Sequence, residues 1–344
     1  MNIGEKFMPV NENHGFLLDG FWTWCGSVVK AGDGKYYMFA SVWDKKLPFH
    51  PGWLLGSKIV RAVSDTLEGP YTYKDTVIDR RGAMYKDGTM AHCPQILKHN
   101  GKYLLFYTGS THPFSQKEVR ENTASAVTVA RANKRTFLAV SDTADGKFKR
   151  FLEPVIDTDP DSYDNFLISN ATPCILDNGD ILVIYKSRSY IGDNGDVNGL
   201  HSDMNLGAVI LDKDTYKVKK RKATPLFFDI SLEDPFVWKD ESGFHMVAKD
   251  MTGKVCTERQ AGVYAHSDNG FDWDIKMNEK AYSRTLEYTD GTKRTVGNLE
   301  RPFIYFEDGK MKGMFFATSD SNGQGFDKMT KSFNTCILIR DDKR

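Results

Sequence analysis

The chain has no uninterrupted apolar stretch approaching the roughly 20 residues that span a bilayer as a helix, so no membrane partner is expected. It also lacks an excess of charge of either sign. Its 46 Lys and Arg balance its 46 Asp and Glu, for a formal net charge of +0. Without a basic field there is no electrostatic ground for a nucleic-acid partner. Cysteine is scarce and odd in number: five residues, with no Cys-x-x-Cys. That argues against a disulfide framework, and Cys25, Cys93, Cys174, Cys256 and Cys336 read as buried thiols. No zinc site is expected. No His/Cys pair has ligand spacing on one element, and the adjacent His92 and Cys93 would point to opposite faces of a strand. No cofactor is called for. The segment Met1 to Pro9 lacks the charged start and apolar centre of a signal peptide. The expected location is therefore cytoplasmic, or periplasmic or secreted for a chain whose leader has been removed. Sustained helical periodicity is missing too, and Ser115 to Asn133 is the sole helix candidate.

Short strands punctuated by turns are what the chain does contain, with aromatics at 12%. The stretch Ser231-Leu-Glu-Asp-Pro-Phe-Val-Trp-Lys-Asp-Glu-Ser-Gly-Phe-His-Met-Val-Ala-Lys-Asp250 reads as a β-hairpin, two apolar strands around a charged turn. Four more hairpins resemble it, beginning near Trp24, Ala91, Asn170 and Leu299. Gly26, Pro94, Pro173, Pro235 and Pro302 align as equivalent positions. Each hairpin is followed by further strands; Ala-Val-Ser-Asp-Thr-x-x-Gly occurs twice, at Ala62 and Ala139. A repeat of this length with several strands per unit implies an all-β, five-bladed β-propeller of four-stranded antiparallel blades. The blade cores start near residues 24, 92, 170, 233 and 300, and residues 1–344 form one domain. The fifth unit has no fourth strand of its own. Residues near 13–22 are expected to supply it against Phe333 to Arg340 and close the ring, removing an open edge. The Pro/Gly/aromatic segment Asp44 to Ser57 and the polar segment Ser187 to Asn205 read as loops.

Residues entering the first strand of every blade crowd around one mouth of the central channel. In the alignment above these are Trp24, His92, Ala171, Glu233 and Glu300, followed by Cys25, Cys93, Thr172, Asp234 and Arg301. Two or three carboxylates, a histidine, an arginine and an aromatic at one mouth fit cleavage of an acetal. That reaction needs one protonated carboxyl to donate to the leaving oxygen and one carboxylate to activate water or attack carbon. Turn chemistry with rim salt bridges is the competing reading of the same residues. Arg61, Lys186, Lys249 and Asp250, at strand ends near the mouth, are candidates to bind hydroxyls or a carboxylate, and Asn170 to bond a hydroxyl. Trp22, Trp24, Trp43 and Trp53 are candidates to stack on a sugar. His201 and the acidic loop around Asp193 to Asp203 look like metal ligands, but no spacing supports a site, and no metal is expected.

The ordered motifs Trp24-Cys-Gly-Ser27, His92-Cys-Pro94, Glu233-Asp-Pro235, Lys249-Asp-x-x-Gly253 and Glu300-Arg-Pro302 resemble those of five-bladed propeller glycoside hydrolases of families 43, 32/68 and 117. The likeness is greatest to family 43/117-like proteins and runs from about Asp19 to Thr318. It implies Asp234 at an Asp-Pro position and Glu233 and Glu300 at the acid position. Cys25 stands where the resemblance implies a base Asp; Asp19 is the nearest replacement, and His92 an alternative acid. The expected activity is exo-acting glycoside hydrolysis of a short oligosaccharide, with inversion. Glu233 or Glu300 is the acid, Asp19 or the other glutamate the base, and Asp234 the tuning group. A glycoside phosphorylase and a non-catalytic sugar-binding propeller are the rivals. Nothing in the sequence speaks to oligomeric state.

Overall fold

A computed structural model describes residues 1–121, 123–192, 200–321 and 328–340. Five antiparallel sheets succeed one another along the chain as propeller blades. Blade 1 is β1 (Phe21–Lys30), β2 (Tyr36–Asp44), β3 (Lys58–Ser64) and β4 (Thr72–Ile78). Blade 2 is β5 (Met90–His99), β6 (Lys102–Ser110), β7 (Arg135–Ser141) and β8 (Lys149–Arg150). Blade 3 is β9 (Leu167–Ile175), β10 (Ile181–Arg188), β11 (Asn205–Leu211) and β12 (Val218–Arg221). Blade 4 is β13 (Leu232–Asp240), β14 (Gly243–Asp250), β15 (Gly262–Ser267) and β16 (Asp274–Ile275). A two-stranded ribbon, β17 (Thr285–Glu287) and β18 (Lys293–Thr295), precedes blade 5, which is β19 (Leu299–Glu307), β20 (Lys310–Ser319) and β21 (Ser332–Leu338). The apolar cores lie between blades. Phe39 and Ile59 pack with Leu105 and Phe137, and Leu182 and Ala208 pack with Met246 and Val263.

Among the described residues three α-helices interrupt the pattern. The candidate at Ser115 to Asn133 is α2 (Gln116–Glu121) and α3 (Thr123–Ala132), between β6 and β7. The segment read as a loop at Asp44 to Ser57 instead contains α1 (Phe49–Gly56). Pro and Gly hid it from sequence periodicity, while Leu54 and Leu55 bury against Ala126 and Ala130 of α3. Part of the Ser187 to Asn205 segment lies outside the described residues; its first two residues end β10.

The fifth sheet has three strands. Beside β21 the N-terminal backbone makes isolated antiparallel bridges, Phe7 to Ile339 and Phe16 to Asn334, rather than a continuous strand over 13–22. The Phe16 and Asn334 amides donate reciprocally to each other's carbonyls at 2.9 Å. Ile3, Val10 and Phe16 are buried in the core shared with blades 1, 4 and 5.

One local device recurs in every innermost strand. The pairing register slips by one residue between Trp24 and Ser27, His92 and Gln95, Glu233 and Phe236, and Glu300 and Phe303. In blade 3 it slips opposite Ile184–Lys186, around Asn170. At each β-bulge a non-glycine residue has positive φ: Cys25 (54°), Cys93 (53°), Asn170 (54°), Asp234 (58°) and Arg301 (57°). The position equivalent to Gly26, Pro94, Pro235 and Pro302 is therefore Ala171, not Pro173. This corrects the aligned pair Ala171 and Thr172 to Ser169 and Asn170. Proline is tolerated throughout an edge strand such as β9, so it did not mark the bulge. The amides freed by the bulge are taken up by the preceding blade. Cys93 N donates to Ser41 Oγ (2.9 Å), Asn170 N to Thr108 Oγ1 (3.0 Å) and Gly26 N to Asn334 Oδ1 (2.8 Å). Blade 1 has glycine where three others have proline, and this last bond uses the N–H that proline lacks.

Candidate active site

A regular strand sends consecutive side chains to opposite faces; a bulge places two of them on one side. Each blade thus sends two neighbouring residues toward the axis, in two tiers. The lower tier is Cys25, Cys93, Asn170, Asp234 and Arg301, which line a narrow axial space with Gly26, Pro94 and Pro235. They contact one another in sequence. Cys25 Sγ lies 3.5 Å from Cys93 Sγ, and Cys93 Sγ lies 3.2 Å from Asn170 Oδ1. Asn170 Nδ2 donates to Asp234 Oδ1 at 3.0 Å, and Arg301 Nη1 donates to the same oxygen.

Trp24, His92, Ser169, Glu233 and Glu300 form the upper tier. All but Ser169 line a cavity of about 210 Å³. At its floor, Glu233 pairs across the hairpin with Lys249, as the charged hairpin ends require. Lys249 Nζ lies 2.8 Å from Glu233 Oε2, 3.1 Å from Glu300 Oε1 and 3.2 Å from Asp234 Oδ2. One ammonium therefore ties three carboxylates from two blades, and it keeps the facing oxygens of Glu233 and Glu300 within about 6 Å. Lys186 holds Glu233 Oε1, and Asn298 Nδ2 donates to Glu300 Oε1 at 3.0 Å. Burial alone would raise the Glu233 carboxyl; Lys186, Lys249 and Arg301 outweigh it and hold that group well below its ordinary range. For Asp234 burial prevails over Arg301, with Glu233 adding repulsion, and the carboxyl is pushed up to about 6. Two adjacent carboxyls thus have opposite proton affinities, the arrangement that lets one site hold an acid and a base.

Aromatic and cationic side chains together line the walls. Phe49 of α1 packs edge-on to Trp24 at 4.9 Å and tilts against Trp43 at 5.0 Å, and Trp53 stacks on His92 at 5.1 Å. Arg131, Lys134 and Arg188 line the same cavity. Arg131 and Arg188 both contact the His201 ring, at 3.3 and 2.7 Å. Lys134 Nζ reaches Ser169 Oγ at 3.5 Å and sits 5.4 Å from the centre of the Trp53 ring.

Of the residues singled out from sequence, Trp24, His92, Lys186, Glu233, Lys249, Glu300 and Arg301 converge on this cavity. Asn170 and Asp234 lie one tier below. Asp19 is exposed and does not line the cavity. Arg61 is committed between blades 1 and 2, to Asp75 and to the Ala144 and Gly146 carbonyls. Asp250 accepts the amides of Thr252, Gly253, Val255 and Cys256 and so shapes the loop after β14. Trp22 is occupied by the Leu47 carbonyl. The sequence reading missed Arg131, Lys134, Arg188 and Phe49. Lys134 immediately precedes β7, and Ser57 holds that place in blade 1, bonding His92 Nδ1 at 2.8 Å; third-strand entries were a signal left unread.

Among the described residues, Cys25, His92 and Cys93 could hold a metal ion, their two Sγ atoms and an imidazole nitrogen lying within 4.8 Å of one another. Two thiols and an imidazole are soft donors suited to zinc. The expectation against a zinc site assumed strand alternation, and the Cys93 bulge breaks it. All five cysteines are free and buried. Among the described residues no helix is long and apolar enough to cross a membrane. A larger hollow of about 720 Å³ lies on the outer part of blade 2, lined by Lys102, Asp142 and Lys147. It is far from the paired carboxylates and gathers no comparable chemistry.

No protein-family model matches the chain, and no curated protein matches it. Solved structures do. A family 117 glycoside hydrolase from the marine bacterium Zobellia galactanivorans superposes with a TM-score of 0.67 at 15% identity, covering 98% of this chain and 92% of that one. A thermostable family 43 glycoside hydrolase gives 0.62 at 14% identity, over 98% and 94%. A family 43 β-xylosidase/α-arabinofuranosidase from a compost metagenome, solved with xylotriose, gives 0.56 at 14% identity, over 98% and 95%. The fold is the five-bladed propeller that these glycoside hydrolases share.

Proposed function

We propose that the chain is a glycoside hydrolase that removes one sugar at a time from the end of a short oligosaccharide. The observation carrying this reading is the pair of buried glutamates from adjacent blades, Glu233 and Glu300, sharing Lys249 at the floor of an aromatic-walled cavity. At about 210 Å³ that cavity is smaller than the roughly 300–1,000 Å³ typical of drug-sized ligands. It suits one sugar ring better than a run of them, which favours exo action. Glu300 is assigned the acid, since its two protein contacts, one cationic, both fall on Oε1. Glu233, kept ionised by Lys186 and Lys249, is assigned the carboxylate that attacks the anomeric carbon. Facing oxygens within about 6 Å fall short of the roughly 6.5–9.5 Å that leaves room for a water, which favours retention over the inversion expected from sequence. Asp234 tunes both through Arg301 and Lys249. Asp19, exposed and off the cavity, is no longer needed as the base.

The test compares leaving groups. Glu300→Gln should slow glycosides with poor leaving groups by about 10²–10⁴-fold yet spare activated aryl glycosides, which need little protonation. Glu233→Gln should slow both. NMR of the first-formed anomer checks retention. Full activity in both variants would refute the assignment.

A second reading, glycoside phosphorolysis, is favoured by one observation: among the described residues, Arg131, Lys134, Lys186, Arg188, Lys249 and Arg301 all line the cavity beside two glutamates. Cleavage that requires inorganic phosphate and releases a sugar phosphate would establish it.

A further inference from the structure

Lys134 is a physical anomaly. It is 3% exposed, yet forms no ion pair among the described residues; its contacts are the Ser169 hydroxyl and the Trp53 ring. Buried lysines are almost always paired, because an uncompensated charge costs several kcal/mol. Its surroundings make matters worse. Arg131 and Arg188 line the same wall, joined through His201 rather than through a carboxylate. Lys186, the next cation, is already spent on Glu233. Glu233 is in turn shared with Lys249, so it has little to offer a further cation. Burial, Lys186 and Arg131 all drive the Lys134 ammonium well below its ordinary range. A fold gains nothing from this arrangement unless something negative enters.

Resting on the proposed sugar-cleaving site, we propose that Arg131, Lys134 and Arg188 form an anion subsite that receives a carboxylate or sulfate borne by the substrate sugar. Lys134 Nζ lies over the Trp53 ring at 5.4 Å, so a sugar ring packed beside Trp53 would bring a charged substituent within reach of the cations. The two guanidiniums present planar forks suited to an oxyanion, and Lys134 supplies a point charge at the buried end. Free phosphate has the same chemistry and is the other possible source of the anion.

The experiment uses the full-length protein and Lys134→Met, which keeps the bulk and removes the charge. Melting is recorded with glucuronate, galacturonate, a sulfated galactose, inorganic phosphate, and the neutral parent sugars. Cleavage of aryl uronides, aryl sulfated glycosides and neutral aryl glycosides is followed in parallel, with and without phosphate. The expected result is stabilisation by the acidic sugars alone, and a uronide or sulfated-glycoside preference that falls roughly 10- to 100-fold in Lys134→Met, the equivalent of one charge-assisted hydrogen bond. Unliganded Lys134→Met should melt higher than the native protein, since a desolvated amine without an ion-pair partner is gone; a lysine serving only structure would melt lower when removed. Stabilisation by phosphate together with phosphate-dependent cleavage supports the subsite with free phosphate as its occupant. Equal response to neutral and anionic sugars, insensitive to Lys134→Met and to phosphate, overturns it. Cleavage of neutral glycosides in that case leaves the hydrolase reading standing. Binding of acidic sugars without cleavage of any glycoside sinks the hydrolase reading and leaves the subsite.

Discussion

At the scale of single residues the site is a problem in charge compensation. Glu233 is buried with Lys186 and Lys249 on its two oxygens, and removing one partner of such a group costs about 3–5 kcal/mol. Glu233→Gln should therefore melt well below the native protein at neutral pH. Its folded proton affinity is depressed, so the stability it contributes is complete above the ordinary carboxylate range and is lost as pH falls through the lower folded value. Native stability should then drop as pH falls below about 5, through the depressed folded value, where the Gln variant has no such contribution to lose. The two melting temperatures should converge as the buffer is acidified. Parallel curves would show that Glu233 does not titrate as described. Both glutamates were legible in the sequence because each stands two residues before a proline at the start of an apolar strand. Lys134 was not: it follows a helix and precedes a third strand, and nothing local distinguishes it from a solvated lysine.

At the scale of the element, the innermost strands were readable as strands but not as bulged ones. Their repeats carry Gly or Pro at the second bulge position in four blades and Ala171 in the other. A proline in blade 3 two residues further on drew the alignment away. The true common feature is a left-handed backbone at a non-glycine residue, and residue type signals it only weakly because Cys, Asn, Asp and Arg all adopt it here. Asn tolerates that conformation and β-branched residues do not. Cys93→Asn should thus retain most of the native stability, whereas Cys93→Val should lose about 1–3 kcal/mol from backbone strain. Denaturant midpoints of the two variants decide this, and equal losses would mean that the thiol contacts, not the backbone, set the cost.

At the scale of the whole molecule, five blades were countable because the hairpins repeat along nearly the whole chain. The ring's seam was harder to read. The expected partner strand is broken into bridges at Phe7 and Phe16, separated by residues that follow no strand pattern. Ile3, Val10 and Phe16 nonetheless enter the main core, and burying three such side chains stabilises by about 5 kcal/mol. Removal of residues 1–17 is expected to lower the melting temperature by 10 °C or more, at roughly 2–4 °C for each kcal/mol, and to leave β21 with an unpaired edge that promotes association. Calorimetry and light scattering on the truncated chain check both. Unchanged melting would place the seam elsewhere, with Asn334 to Gly26 the next contact to cut.

The five bulges have a consequence for how such a molecule can change. Around the axis the chain spells two words of five letters: Trp, His, Ser, Glu, Glu above and Cys, Cys, Asn, Asp, Arg below. Each blade writes one letter in each, with neighbouring residues. Losing a single residue at one bulge would restore strict alternation there and rewrite that blade's letters, while the other four blades kept theirs. A one-codon deletion, ordinarily ruinous inside a strand, becomes a way of editing the vocabulary of the mouth one blade at a time.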